Sequence, residues 1–292
     1  MEKYGNISLC AFADEADENL DNQILALQQN DIGFLEIRGV NGKNISELTI
    51  EEVKNVKVKL DRGGIKVWSI GSPIGKLDIN ENFEPHLDLF CHLIEAANIL
   101  EASHFRLFSF HGTYHYMNSF YMEDVVFERL GKFIEKSKGS GVTLCHENES
   151  NIYGDIISRL QRIHKQFPEI KAVFDPANFV QCKQDTIKAW KILSKYVAYI
   201  HAKDALEDGT VVPVGYGAGN LKTILHNFAQ DGGTVTLEPH LTEFTGRKTL
   251  DKNKDLFLDK SVDEKVFSLN FSNPREAFDA AANALKELLK DI

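Results

Sequence analysis

Paired cysteines and long apolar runs are both missing from this 292-residue sequence. Its four cysteines lie far apart and form no CxxC pair, which predicts reduced thiols in a cytoplasmic protein. No stretch approaches the roughly 18 consecutive apolar residues of a membrane-spanning helix. The N-terminus also lacks the basic start and long apolar core of a secretory signal peptide. We therefore expect a cytoplasmic protein without a membrane partner.

An excess of basic residues is missing too, because 33 basic residues face 43 acidic ones and the formal net charge is −10. Nucleic acids and anionic membranes bind basic surfaces, so this balance argues against both as partners. No linker or low-complexity segment interrupts the chain, which predicts one domain over residues 1–292. The longest irregular stretch, about residues 239–272, is polar and is interpreted as a lid or a subunit contact.

Short apolar runs that are rich in β-branched and aromatic residues recur along the chain. Stretches with helical spacing lie between them, such as Leu20, Ile24 and Leu27 after the first run. Alternating strands and helices predict a parallel sheet, and eight such strands predict an α/β fold of the (β/α)8 TIM barrel type. The eight runs are "ISLCAF", "GFLEIRG", "KVWSIGS", "FRLFSF", "VTLCHEN", "KAVFDP", "AYIHAK" and "TVTLEP".

Ionisable residues end four consecutive runs, from the fifth to the eighth: Glu147, Asp175, His201 and Glu238. Successive side chains of a strand alternate faces, so Glu147 shares a face with Cys145 and opposes the bulkier Leu144. The bulky set should face the surrounding helices, and the small or polar set should face the barrel axis. Because barrel active sites lie at the C-terminal ends of the strands, we expect the four ionisable side chains to converge there.

Three carboxylates and one imidazole form a donor set that suits one divalent metal ion, such as Mn, Mg, Co or Zn. Without a cation, three carboxylates so close together could not all stay ionised. Each residue taken alone is also explained as a surface or salt-bridged group. Four of them on consecutive strands, with matching parity, favour the metal site.

Other polar residues near the strand ends have two interpretations each. Lys203 shares a face with His201 and either binds a substrate oxygen or forms a salt bridge with a carboxylate. Glu36 and Arg38 end the second strand, where they bind hydroxyl groups or pair with each other. Arg106, on the fourth strand, is a sugar or phosphate contact or else a partner for a glutamate.

The glycine-rich segment "GYGAGN", residues 215–220, follows the seventh run. It does not close the first strand of a doubly wound sheet, so it fails as a dinucleotide fingerprint. Loops after the seventh and eighth strands of barrels often hold phosphate, which is one interpretation of this segment. In the other interpretation, the glycines only shape the turn.

The chain resembles the sugar phosphate isomerase/epimerase family of xylose isomerase-like TIM barrels over nearly its whole length. The motifs that carry the resemblance are "LEIRG", "SPIGK", "RLFSF", "CHENE", "FDPANF", "IHAKDA", "VVPVGYGAGNL" and "LEPHL". The resemblance implies that two glutamates act as acid/base groups on opposite faces of a bound sugar, and that one divalent metal is held by the residues Glu147, Asp175, His201 and Glu238. The same motifs contain our candidates for substrate binding, which are Glu36, Arg106, Asn178 and Lys203.

The carboxylate pair suits chemistry at a carbon next to a carbonyl group. Such a C–H is too weakly acidic for a free carboxylate, but a metal on the substrate oxygens stabilises the enediolate. One of Glu147 and Glu238 then removes the proton and the other returns it, and their order stays open. This predicts a metal-dependent isomerase or epimerase of a sugar, sugar phosphate or related polyol ketone.

Two positions depart from the ketose 3-epimerase branch of the family. Those enzymes often carry a histidine where Asn178 stands, and an arginine where Lys203 stands. Two alternatives to the isomerase therefore stay open, namely a dehydratase of the inosose dehydratase type and a non-catalytic sugar-binding barrel. Such barrels commonly form dimers or tetramers, so homo-oligomerisation stays open as well.

Overall fold

The chain folds into a closed barrel of parallel strands, and this confirms the predicted (β/α)8 TIM barrel. A computed structural model describes residues 4–114, 119–242, 244 and 271–292. The strands pair in chain order, and the last closes on the first. They are β1 (Ile7–Ala11), β2 (Phe34–Ile37), β3 (Lys66–Ile70), β4 (His104–Leu107), β5 (Thr143–Glu147), β6 (Lys171–Phe174), β7 (Val197–Ala202) and β8 (Gly233–Leu237).

Helices flank the barrel, and their ends follow from local sequence. Thr49 and Glu52 form a capping box at the start of the second helix. Asn273 accepts a hydrogen bond from the Glu276 backbone N–H at 2.9 Å, and Pro274 opens the last helix. The helices are α1 (Leu20–Gln29), α2 (Ile50–Gly63), α3 (Glu84–Ile99), α4 (Ser119–Ser137), α5 (Ile157–Gln166), α6 (Pro176–Gln181), α7 (Thr186–Leu193), α8 (Leu221–Ala229) and α9 (Pro274–Lys290).

The strands divide their side chains between two faces, as their alternation predicts. Leu144 and Leu237 join the large apolar cluster that includes the helices. Cys145 and Tyr199 belong to a separate small cluster in the barrel interior. Because Glu147 has the parity of Cys145, its carboxylate belongs to the interior face.

Two predictions are not decided by this fold. Most of the irregular stretch at about 239–272 lies outside the described residues, and the single domain over 1–292 stays a prediction. Among the described helices, none combines the length and the apolar character needed to cross a membrane.

Candidate active site

Four ionisable side chains converge at the C-terminal ends of neighbouring strands. Glu147 is the last residue of β5 and His201 lies in β7, while Asp175 and Glu238 directly follow β6 and β8. One ligand atom of each lies within 4.8 Å of the other three. All four residues are at most 2% exposed. The convergence that the sequence predicts is therefore present in the fold.

The two ring nitrogens of His201 face different carboxylates. Nδ1 lies 3.1 Å from Glu147 Oε1, 3.3 Å from Glu238 Oε2 and 4.0 Å from Asp175 Oδ2. Nε2 lies 3.1 Å from Glu36 Oε2. Burial alone would lower the pKa of His201, but the surrounding carboxylates raise this pKa well above its ordinary value. The cluster thus favours a positive charge at its centre, either a proton on His201 or a bound cation.

The donor set fits a divalent cation. Glu147 Oε2 and Asp175 Oδ2 are buried and form ion pairs with Arg106 and Lys203, but neither oxygen accepts a hydrogen bond from the described residues. Burial raises the pKa of Asp175, and the neighbouring Glu238 and Glu147 add to this effect against Lys203. The side chains that these contacts join to the cluster include more carboxylates than lysine and arginine side chains. The six carboxylates are those of Asp14, Glu15, Glu36, Glu147, Asp175 and Glu238. The three cationic side chains are those of Arg38, Arg106 and Lys203. A divalent cation would offset most of this excess negative charge.

Asp175 is placed by the start of α6. Its Oδ1 accepts a hydrogen bond from the Asn178 backbone N–H at 2.9 Å, which caps the helix and leaves Oδ2 for the cluster. The Asn178 side chain then donates to Asn148 O at 2.9 Å and to Glu147 Oε1 at 3.3 Å. Asn178 therefore connects two carboxylates of the cluster, and whether it also contacts a substrate stays a prediction.

Lys203 and Arg106 contact the same carboxylates. Lys203 Nζ lies 3.0 Å from Asp175 Oδ2 and 3.4 Å from Glu238 Oε2, so the structure shows the salt bridge among its two interpretations. Arg106 NH1 lies 3.1 Å from Glu147 Oε2, whereas Arg106 Nε and NH2 have no hydrogen-bond partner among the described residues. Whether these two donors contact a substrate oxygen stays a prediction.

Glu36 lies deep in the barrel and is fully buried. Its Oε1 accepts a hydrogen bond from Tyr199 OH at 2.9 Å, and its Oε2 faces His201 Nε2. Burial alone would raise the pKa of Glu36, but His201, Arg106 and Tyr199 together outweigh burial and lower this pKa. Both oxygens are engaged by the protein, so Glu36 lies behind His201, and whether it also contacts a substrate stays a prediction.

Arg38 does not pair with Glu36, and this alternative interpretation is wrong. Its guanidinium instead bonds Asp14 at 2.9 and 3.0 Å, Glu15 at 3.0 Å and Glu238 at 3.1 Å. Arg38 directly follows the last residue of β2, and its side chain contacts Asp14 and Glu15 in the loop after β1. The long reach of an arginine then decides its partners.

The loop after β1 adds residues that sequence reasoning missed. Asp14 and Glu15 lie in "FADEAD", directly after the first apolar run, and His240 follows the eighth. His240 Nε2 lies 3.5 Å from Glu15 Oε1 and 3.4 Å from Glu238 Oε1. The strand-end argument that found Glu147 would also have found the two acidic residues of the first loop.

The backbone N–H groups of the glycine-rich segment bind a carboxylate of the protein itself. Asp204 accepts hydrogen bonds from the backbone N–H groups of Gly215, Gly217 and Gly219 at 3.0, 3.0 and 2.9 Å. A Cβ at Gly217 would lie 2.2 Å from Asp204 Oδ1, so a side chain does not fit there. The amide groups that could have held a phosphate are already used, which favours the turn-shaping interpretation.

Barrel and site together define a class of protein: parallel (β/α)8 barrels with a buried carboxylate and histidine cluster at the strand ends. The family model of xylose isomerase-like TIM barrels matches residues 26–259, and the chain belongs to that family. No curated protein sequence matches the chain.

Solved structures share this fold over nearly the whole chain. They include the IOLI protein with a zinc atom (14% identity, TM-score 0.72, 97% of this chain and 98% of that chain). Another is the probable 3-DHS dehydratase AsbF from Bacillus anthracis (14% identity, TM-score 0.71, 96% of this chain and 98% of that chain). A third is D-psicose 3-epimerase with D-tagatose from Clostridium cellulolyticum H10 (12% identity, TM-score 0.70, 97% of this chain and 99% of that chain). At these identities, the likeness shows the shared fold.

Proposed function

We propose that this chain is a divalent-metal-dependent isomerase or epimerase of a sugar, sugar phosphate or related polyol ketone. The observation that carries the proposal is the pair Glu147 and Glu238, held with Asp175 and His201 in one buried cluster. Holding two carboxylates so close together carries a large electrostatic cost, which favours a catalytic role for the pair. Membership of a family whose structural relatives include sugar epimerases supports the same reaction class.

Glu147 and Glu238 act as proton acceptor and donor in this proposal. One carboxylate removes the proton next to the carbonyl, and the other returns a proton to the opposite face or to the neighbouring carbon. A divalent cation in the cluster would supply electrostatic stabilisation for the negative charge that develops on the substrate oxygens. Burial alone would raise the pKa of Glu238, but Lys203, His240 and His201 hold this pKa well below its ordinary value, which favours the ionised form.

Arg106, Lys203 and Asn178 orient the reacting groups. Arg106 fixes Glu147 through one nitrogen and offers Nε and NH2 to a substrate oxygen. Lys203 lies against Asp175 and Glu238 and can turn one of its ammonium hydrogens toward a hydroxyl group. Because these residues are almost fully buried, water is largely excluded from the site and its electrostatic interactions are strong.

A dehydratase is the second candidate function. The same carboxylate pair could remove the proton and then protonate a leaving β-hydroxyl group, which departs as water. The shared fold with the probable 3-DHS dehydratase AsbF supports dehydration as a second candidate reaction. It differs from the first proposal in its product, because one hydroxyl group is lost.

The test is proton NMR of the Mn-loaded protein in heavy water with a panel of ketoses, ketose phosphates and inososes. We expect loss of the C–H signal next to the carbonyl of one substrate. Glu147→Gln and Glu238→Gln should each slow this exchange by about 100-fold or more, since positioned acid/base groups contribute that much. Glu51→Gln removes an exposed carboxylate from α2 and should leave the exchange unchanged.

The outcomes separate the candidates. Exchange with no loss of water supports the isomerase or epimerase, and a product lacking one hydroxyl group supports the dehydratase. Metal binding without exchange on any member of the panel, in wild type and variants alike, would contradict the enzymatic proposal and favour the binding barrel.

A further inference from the structure

A column of buried hydrogen-bonding side chains lies behind His201 in the barrel. Ser69 Oγ lies 3.1 Å from Tyr199 OH, and Tyr199 OH donates to Glu36 Oε1 at 2.9 Å. Glu36 Oε2 lies 3.1 Å from His201 Nε2. These four residues come from β2, β3 and β7 and are fully buried. Burying so many polar side chains away from water costs free energy unless each side chain forms a hydrogen bond with the next one.

The column decides how the imidazole is presented to the cluster. Glu36 accepts a hydrogen bond from Tyr199 OH through Oε1, and as an acceptor for His201 through Oε2 it requires the facing nitrogen, Nε2, to carry the hydrogen. Nδ1 then faces Glu147, Glu238 and Asp175 and can offer its lone pair there. Phe12 packs against the imidazole in a T-shaped arrangement, with ring centroids 5.3 Å apart.

We propose that Glu36 is a positioning residue of the metal site, which holds His201 as the Nε2–H tautomer and keeps Nδ1 toward the carboxylates that would hold the cation with it. Tyr199 in turn holds Glu36. The inference rests on the metal site of the proposed function, and it replaces a substrate contact as the role of Glu36. A carboxylate behind a metal-ligating histidine fixes the ring orientation and raises the basicity of the ligand nitrogen.

The first test measures metal affinity without turnover, by competition of the purified protein with a chromophoric chelator for Zn²⁺. We expect Glu36→Ala to weaken Zn²⁺ binding about 10- to 100-fold. Glu36→Gln keeps the volume and can still accept one hydrogen bond, so its loss should be smaller. Tyr199→Phe should weaken binding less than Glu36→Ala does. Glu51→Gln, which removes one exposed carboxylate, is the matched control and should bind as wild type does.

The second test reads the tautomer directly. In the zinc-loaded wild-type protein labelled with ¹⁵N-histidine, the His201 ring shifts should show the hydrogen on Nε2 and the metal-ligand shift on Nδ1. Wild-type Zn²⁺ affinity in both Glu36 variants, or a hydrogen on Nδ1 in wild type, would overturn the proposal. If Glu36→Ala fails to fold, Glu36→Gln and Tyr199→Phe carry the affinity test. A wild-type protein that binds no Zn²⁺ or Mn²⁺ would instead contradict the metal site itself.

Discussion

Arg38 is held in a fixed position by charge and by aromatic rings. Its guanidinium carbon lies 4.3 Å from the centroid of the Phe12 ring and 4.5 Å from that of Phe244. The same guanidinium bonds Glu15 and Glu238, the two carboxylates that lie near His240. Three of these residues, Glu15, Glu238 and His240, could by geometry hold a cation of their own. Arg38 already supplies the positive charge there.

We therefore expect wild-type protein to bind one divalent metal ion per chain. Arg38→Met removes the guanidinium and leaves its carboxylates uncompensated, so this variant should bind a second ion. Arg38→Lys keeps a positive charge and should bind one. Elemental analysis after gel filtration measures the metal content. Two ions in wild type, or one in Arg38→Met, would contradict the interpretation.

In our proposal, Arg106 contacts both Glu147, one of the two acid/base carboxylates, and a substrate oxygen. Arg106→Met should lower kcat/KM by about 100-fold, comparable with the loss of one donor to a developing negative charge. The kcat/KM of Arg106→Lys should lie between those of wild type and Arg106→Met, because a single ammonium group does not reproduce the planar fork of a guanidinium group. Steady-state kinetics with the substrate found by NMR measures both. A kcat/KM of Arg106→Met close to that of wild type would remove Arg106 from the site.

The connection after β7 shows how one carboxylate organises a loop. Asp204 and Ala205 pair antiparallel with Val211 and Val212, and the glycines that follow turn their N–H groups toward Asp204. Burial raises the pKa of Asp204, and these backbone hydrogen bonds oppose the effect. The loop and its carboxylate therefore stabilise each other next to Lys203.

We expect Asp204→Ala to lower the free energy of unfolding by about 3 kcal/mol, because it leaves several N–H groups without an acceptor. Acetate can occupy the freed space, so it should raise the Tm of Asp204→Ala more than that of wild type. Asp204→Asn keeps the size and should not respond to acetate. Thermal unfolding with and without acetate measures this, and equal Tm values for wild type and Asp204→Ala would contradict it.

The whole molecule should lose stability in acid through histidines that are buried uncharged. His164 in α5 is 1% exposed, and its Nδ1 lies 3.1 Å from Ile170 O. Burial lowers the pKa of His164 from 6.5 to about 4. Below pH 6.5 the unfolded chain binds this proton and the folded chain does not. The contribution of His164 is therefore present above pH 6.5 and is lost as the pH falls toward 4.

His164→Asn should reduce this acid sensitivity. One pKa unit corresponds to about 1.4 kcal/mol, so we expect the stability change between pH 7.5 and 4.5 to shrink by roughly 2 to 3 kcal/mol in the variant. Asparagine keeps a donor for the Ile170 carbonyl and does not titrate. Urea unfolding at both pH values measures the difference. Parallel pH dependences in wild type and variant would show that His164 does not contribute.

Local pattern was sufficient for the barrel and for the convergence of its four central residues. A strand alternates its side chains with a period of two, so the face of Glu147 follows from its neighbours alone. Parallel strands of a barrel end at one face, so Asp175, His201 and Glu238 had to come near it. The two-residue strands at Gly39–Val40 and Asp204–Ala205 carry no such pattern and were not predicted.

What the sequence determined by itself is the list of strands and the residues at their ends, because both depend on neighbours along the chain. Which of those residues touch was decided only by the tertiary structure. Glu36 and His201 are 165 positions apart, and Arg38 and Glu238 are 200 positions apart. Contacts over such separations depend on barrel closure, on register and on the reach of each side chain. Closure therefore placed Glu36 behind the histidine and gave Arg38 three carboxylate partners.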